Sequence, residues 1–174
     1  HTYSLNMAAL GRIDGISEGF GVVNVNDSTY LFCTETNMSA LVVYDVTDPA
    51  YPIRKGSILM DNIMHARDVD FIQDADSTVR LFIAESDRDR NPPLYQARLI
   101  SIPLTSTNLN LVQKDTIYSA FSGYHVADFP LYPTSIQDQQ KTRNVEMIHQ
   151  RGGLVFAATN KPMLAWFDVS DTSR

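Results

Sequence analysis

Residues 41–49 read LVVYDVTDP, and residues 164–171 read LAWFDVSD. Each stretch is an apolar, β-rich run that ends in an Asp, a Val, a Ser or Thr and a second Asp. A phrase that returns within a chain of 174 residues indicates a repeated structural unit. The fold is therefore sought as a set of similar units, each with this phrase at the end of one strand.

The segments around these phrases predict antiparallel strands. Apolar and polar residues alternate over short runs that are separated by Asn, Asp, Ser and Gly, which is the pattern of paired strands and their turns. First and second strands are predicted at 23–25 and 30–33, at 69–71 and 81–84, and at 145–147 and 154–157. Third strands follow at 40–46, 97–102 and 163–169, and fourth strands at 53–58 and 109–117. Four short antiparallel strands per unit predict an all-β chain of about three β-propeller-type blades.

The units divide the chain, which is interpreted as a single propeller region over residues 1–174. Residues 9–13 resemble residues 54–58, so residues 1–13 are predicted to be a fourth strand without partners of its own. The predicted parts that follow are a first blade at 16–60, a second at 64–118, a long loop at 119–142 and a third blade without its fourth strand at 143–174. Because propellers usually have four to eight blades, we expect either a piece of a longer propeller or a ring completed by association.

Two motifs carry a resemblance to a known family. Residues 66–69, ARDV, and residues 41–52, LVVYDVTDPAYP, resemble the LVIVD repeat of bacterial and archaeal surface β-propellers. The middle unit departs from that pattern, because residues 99–104, LISIPL, lack both aspartates. The resemblance implies a propeller fold and an extracellular or cell-surface setting, and it implies no enzyme activity.

Composition excludes some classes of partner. A formal net charge of −6 and a pI near 5.0 would repel a phosphate backbone, so nucleic acid is not an expected partner. No apolar run approaches the roughly 20 residues of a membrane-spanning helix, so membrane insertion is not expected. Cys33 lies in an apolar run and is interpreted as a small buried hydrophobe. The sequons at Asn26 and Asn37 are candidate glycosylation sites if the protein is secreted.

Repeated polar positions offer two readings. The aspartates of the repeated phrase are expected to accept backbone N–H bonds at the strand ends rather than to form an acid–base pair. Asn24, Asp70 and Glu146 occupy the same place in successive first strands, which would line the central channel of a propeller. They could form a cation site, with calcium as the candidate, or could be polar simply because the channel is wet.

Other candidate binding residues lie before the first strands and in the long loop. His65, Arg67 and Arg143 are candidates for an anion site at the channel mouth. Tyr124, His125, Phe129 and Tyr132 could form a recognition surface, or the loop could fold its aromatic side chains back onto the scaffold. The charged run at 85–91 is expected to be a solvated loop.

These features favour a noncatalytic extracellular or cell-surface module for protein interaction, adhesion or assembly. The expected partner is a protein or a glycan, with self-association through edge strands as a further route, and no cofactor is expected. The sequence contains none of the common catalytic motifs, such as a P-loop or a Gly-x-Ser-x-Gly elbow. One alternative is a calcium-dependent propeller hydrolase or lactonase, and a second is a filament subunit that assembles by strand exchange.

Overall fold

The computed structural model describes residues 12–15, 19–35, 39–61, 64–73, 77–87, 97–129, 145–159 and 164–170. In these ranges the chain is an all-β protein whose twelve strands form three sheets. The predicted fold class is confirmed at this level.

The first sheet contains the four strands that the sequence predicts for the first unit. They run antiparallel in chain order, as β1 (Phe20–Val25), β2 (Ser28–Glu35), β3 (Ala40–Asp45) and β4 (Ile53–Leu59). A two-residue strand, β8 (Thr116–Ile117), adds to β4 in parallel. The β1–β2 turn places Asn26 at a φ of 55°, a conformation that Asn tolerates better than most residues.

The second sheet has the order β5 (Met64–Gln73), β6 (Val79–Asp87), β7 (Ala97–Pro103) and β9 (His125–Asp128). The predicted fourth strand at 109–117 is wrong, because helix α1 (Ser106–Val112) occupies much of that segment. The Thr105 side chain caps this helix by accepting a hydrogen bond from the Asn108 backbone N–H. The fourth strand is β9 instead, and it comes from the segment predicted to be a loop.

Asn108 fixes the insertion between β7 and β9, residues 104–124, which carries α1. It is fully buried, and its side-chain nitrogen donates to the carbonyl oxygens of Pro103 and Ser122. Its side-chain oxygen accepts from the backbone N–H of Ser122. This one amide therefore joins the start of the insertion to its end, and directs the chain back to the second sheet as β9.

The third sheet consists of β10 (Val145–Arg151), β11 (Leu154–Thr159) and β12 (Leu164–Asp168), which are antiparallel in that order. Among the described residues, β12 has a neighbouring strand on one side only. Residues 12–14 are not in a strand, and residues 1–11 of the predicted orphan strand lie outside the described ranges.

The three sheets pack face to face, with the second sheet in the middle. Alternate residues of β6 point to opposite faces, so Leu81 and Ile83 pack toward the first sheet while Phe82 and Ala84 pack toward the third. The contact between the first and second sheets includes an edge-to-face pair of Phe32 and Phe71, with ring centroids 5.4 Å apart. The outer faces of the first and third sheets are left without a sheet against them in the described part of the chain.

Two carboxylates of β5 bind the backbone of β10. An oxygen of Asp68 accepts a hydrogen bond of 2.8 Å from the Ile148 N–H, and an oxygen of Asp70 accepts one of 2.5 Å from the Gln150 N–H. Burial, the largest influence, raises the pKa of Asp68, although both of its backbone hydrogen bonds oppose the rise. The carboxylates thus join the second and third sheets through β5 and β10, the first strand of each sheet.

We expect Asp68→Ala to lower the free energy of unfolding by about 2 kcal/mol, because it leaves the Ile148 N–H without its acceptor. Equilibrium denaturation in urea measures this loss. The matched control is Asp48→Ala, which removes a carboxylate that accepts from the Ala50 N–H in an exposed turn. Equal losses for the two variants would contradict a special role for Asp68.

Candidate functional site

The repeated aspartates are turn-forming residues, as expected. Asp45, Asp48 and Asp168 each accept a backbone N–H bond of 3.0 Å from the residue two positions further on. Hydrogen bonds from Thr47 lower the pKa of Asp45. Asp171 lies outside the described residues. These short-range bonds give the described aspartates of the repeated phrase a structural role in the turns.

The aromatic residues predicted to form a recognition surface are divided by the structure. Phe129 is buried with its ring edge-on to Phe167, at a centroid distance of 5.0 Å. Tyr124 is partly buried and lies edge-on to Tyr118. His125 is exposed, and Tyr132 lies outside the described residues. The two described aromatic side chains therefore pack against the scaffold, and His125 is the described member that faces solvent.

The predicted anion-binding residues lie away from His125. His65 pairs across the sheet with Ser86, whose hydroxyl accepts a hydrogen bond of 2.9 Å from Nε of Arg67. His125 instead pairs with Ser101, near the other end of the second sheet. Arg143 lies outside the described residues. The structure thus brings His65 and Arg67 together and does not join them to the β9 residues.

The candidate cation ligands already have protein partners. Oδ1 of Asn24 accepts a hydrogen bond of 2.8 Å from the Thr29 hydroxyl, and Asp70 binds the backbone of β10 as described above. The side chain of Glu146 is outside the described part of the structure. Within that part, no group of three or more His, Cys, Asp and Glu residues is placed to hold a metal ion. A calcium-dependent enzyme stays a prediction.

Of the two candidate glycan acceptors, one lies in the described part of the structure. Asn26 is exposed in the β1–β2 turn, where a glycan would have room, and Asn37 lies outside the described residues. No helix in the described ranges is long and apolar enough to cross a membrane.

A charge cluster surrounds Arg98 at one end of the second sheet. Its guanidinium lies 3.2 Å from Asp61, 3.4 Å from Glu85 and 3.7 Å from Asp128. The Tyr118 hydroxyl donates a hydrogen bond of 3.1 Å to the same Asp61 oxygen that Arg98 contacts. One cation therefore holds three carboxylates, which come from different parts of the chain.

Glu85 is the unusual member of this cluster. It is fully buried, and its Oε2 has no hydrogen-bond partner among the described residues. Burial raises the pKa of Glu85 from 4.5 to about 7, although Arg98 acts in the opposite direction. The prediction that 85–91 is a solvated loop is wrong for residues 85–87, which end β6. The residues of the cluster are too far apart in sequence for a motif to reveal them.

The third sheet presents an apolar outer face. Leu164 and Trp166 are 56% and 66% exposed, and Met147 is 62% exposed. The strand register places Trp166 beside Phe156, and Phe156 beside His149 of β10. Exposed large apolar side chains that share one sheet face are typical of an interaction surface. This surface, formed by Met147, Phe156, Leu164 and Trp166, is called the outer face below.

No family model, curated protein or solved structure matches this chain.

A cavity of about 180 Å³ lies between the second and third sheets. Its apolar walls are formed by Phe82, Leu99, Phe167 and Val169. Arg80, Ser101 and His125 supply polar groups, and Asp168 lies at the β12 side. The cavity is called the groove below. Sequence reasoning pointed to His125 but missed the groove, because its walls come from sheets that are distant in sequence.

Proposed function

We propose that the protein is a noncatalytic module for protein interaction, adhesion or assembly, in an extracellular or cell-surface setting. The observation that carries this proposal is the third sheet, which combines the apolar outer face with an edge of β12 that pairs with no strand among the described residues, called the open edge below. An open edge offers unpaired backbone groups, and an apolar face offers area to bury.

The side chains of the outer face suit this role energetically. Burying one large apolar side chain contributes roughly 1.5–3 kcal/mol, so covering Leu164, Trp166 and Met147 together could support a specific contact. Trp is also enriched among the residues that dominate binding energy at interfaces. A protein partner or a glycan could stack on such a surface, since Trp offers both an apolar ring and an N–H donor.

The proposed extracellular or cell-surface setting is inferred from the repeats. The resemblance of residues 41–52 to the LVIVD repeat supports a surface-exposed propeller, and the exposed Asn26 is compatible with a glycan there.

A filament subunit is the second candidate function. The open edge of β12 favours it, because an unpartnered strand edge can accept a strand from another copy. Deleting residues 1–13 should then abolish fibre formation, which electron microscopy of the purified chain would show. Fibres that persist in the deletion variant would remove this candidate.

We expect Leu164→Lys combined with Trp166→Lys to abolish association, because two charges on the outer face cannot be desolvated cheaply. Sedimentation velocity and a glycan array measure self-association and glycan binding. The matched control is Tyr51→Lys, which changes a side chain that is 75% exposed in the β3–β4 connection. The proposal fails if the wild type stays monomeric up to about 100 μM, a level that detects weak contacts, and binds no glycan.

A further inference from the structure

The backbone of β12 is arranged to accept another strand. The Val169 N–H donates to the Gly153 carbonyl, which sets the alternation of the ladder between β11 and β12. Successive residues of an antiparallel strand direct their N–H and C=O groups to opposite sides. Leu164 and Trp166 therefore direct these groups away from β11, toward the open edge. Further along the same series, the Ser170 N–H is already bound to Asp168, so the open edge ends before it.

The groove continues an interface that the molecule already has. Phe82 and Leu99 belong to the core that packs the second sheet on the third, and Phe167 and Val169 pack against that core. At about 180 Å³, the groove exceeds the roughly 150 Å³ of an apolar cavity that can hold benzene. It therefore has room for one large apolar side chain.

The groove also has a polar end. Ser101 pairs across the sheet with His125, and Leu99 pairs with Ala127, so the polar and apolar ends lie two residues apart. Arg80, which is 8% exposed, donates a hydrogen bond of 3.3 Å to the Ser101 hydroxyl. The polar end thus carries N–H and O–H donors. It lies two residues along the strand direction from the apolar end.

We propose that the groove binds an extended segment of a partner protein, which adds to β12 as a strand. The segment inserts one large apolar side chain between Leu99 and Phe167, and places a hydrogen-bond acceptor two residues away, near Arg80 and His125. This inference rests on the proposed function and names the kind of partner. A foreign segment fits better than a second copy, because two chains that each carry a net charge of −6 repel one another.

The test uses the full chain and a synthetic nine-residue peptide with leucine at its centre, glutamine two residues to each side of it, threonine at the positions between and a lysine at each end. Trp166 is the one tryptophan of the chain and lies in β12, so its fluorescence reports strand addition directly. We expect a saturable change in its emission. A peptide with the central leucine changed to alanine should bind at least tenfold more weakly, and a twin with proline at alternate positions should not bind.

Two protein variants locate the site. Ala127→Phe should fill the groove and abolish peptide binding, and Leu164→Pro should weaken it by removing one outward N–H at the first residue of β12. Equal binding of the leucine, alanine and proline peptides would overturn the proposal without requiring any variant to fold. So would unchanged binding to a folded Ala127→Phe variant.

The result also separates this inference from the proposed function. A wild type that associates through the outer face but ignores every peptide overturns the groove proposal alone. A wild type that binds no peptide and forms a dimer sensitive to Ala127→Phe shows that a second copy occupies the groove, which also overturns a foreign segment. If the variant with Leu164→Lys and Trp166→Lys still binds the peptide, the groove proposal is supported even where the role of the outer face fails.

Discussion

Replacing Glu85 by glutamine is expected to raise the free energy of unfolding at about pH 8 by on the order of 3 kcal/mol. Glu85 is fully buried, and its pKa is raised from 4.5 to about 7, mainly by burial. At pH 8 the wild type must therefore carry a negative charge in the interior, which Arg98 offsets in part. Glutamine keeps the shape of the side chain and removes that charge.

The raised pKa of Glu85 also predicts how the free energy of unfolding changes with pH. Because the folded-state pKa of Glu85 lies above its ordinary value, its contribution to stability is fully present below about pH 4.5 and is lost as the pH rises through 7. The wild type should thus lose stability across this window relative to Glu85→Gln, and the two should converge at its acid end. Urea denaturation at several pH values across the window measures the difference.

Glu35→Gln is the matched control, since it removes the same charge from a partly buried position in β2. This control should not show the pH-dependent rise in the free energy of unfolding that is expected for Glu85→Gln. If Glu85→Gln instead destabilises the protein at every pH, the Glu85 carboxylate is ionised in the folded state and its pairing with Arg98 outweighs the cost of burial.

Replacing Gly56 by alanine is expected to lower the free energy of unfolding by on the order of 3 kcal/mol. A Cβ at this position would lie 1.8 Å from the Val112 carbonyl oxygen, so the backbone itself would have to move. Gly56 is in β4 opposite Val43, where the β3–β4 register shifts. Val112 ends α1, so the substitution would push the insertion away from the first sheet.

Thermal unfolding and urea denaturation measure this loss, and peptide binding to the groove gives a second readout. Because the insertion leads into β9, which lines the groove, Gly56→Ala should also weaken binding. Gly152→Ala is the matched control: its φ is +53°, but an added Cβ meets nothing within 4 Å. It should cost about 1 kcal/mol, from the backbone conformation alone. Similar costs at both glycines would contradict the close contact with Val112.

The limits of sequence reasoning are clearest in the insertion. Residues 109–117 follow a turn-like Thr-Ser-Thr at 105–107, and were on that ground predicted to be the fourth strand of the second unit. The Thr105 cap and the buried amide of Asn108 favour a helix there instead. The cap is a local signal that could have been read, whereas the bonds of Asn108 to Pro103 and Ser122 form only in the folded chain.

The candidate site, too, could be predicted from the sequence only in part. His125 was predicted as a binding residue because it lies in an aromatic segment, and it does line the groove. Phe129 lies in the same segment but is buried against Phe167, a residue of the third sheet. Whether an aromatic side chain is exposed or packed depends on which sheet faces it, and a single segment carries no information about that.

The sequence by itself determined that this chain is built of repeated units of short antiparallel strands, because alternation of apolar residues and turn chemistry are local properties. It also determined the role of the repeated aspartates, whose acceptor bonds reach only two residues along the chain. Only the tertiary structure decided which segment completes the second sheet, that Glu85 is buried beside Arg98, and that β12 leaves an open edge next to a groove. Each of these depends on contacts between residues far apart in sequence, where packing outweighs local preference.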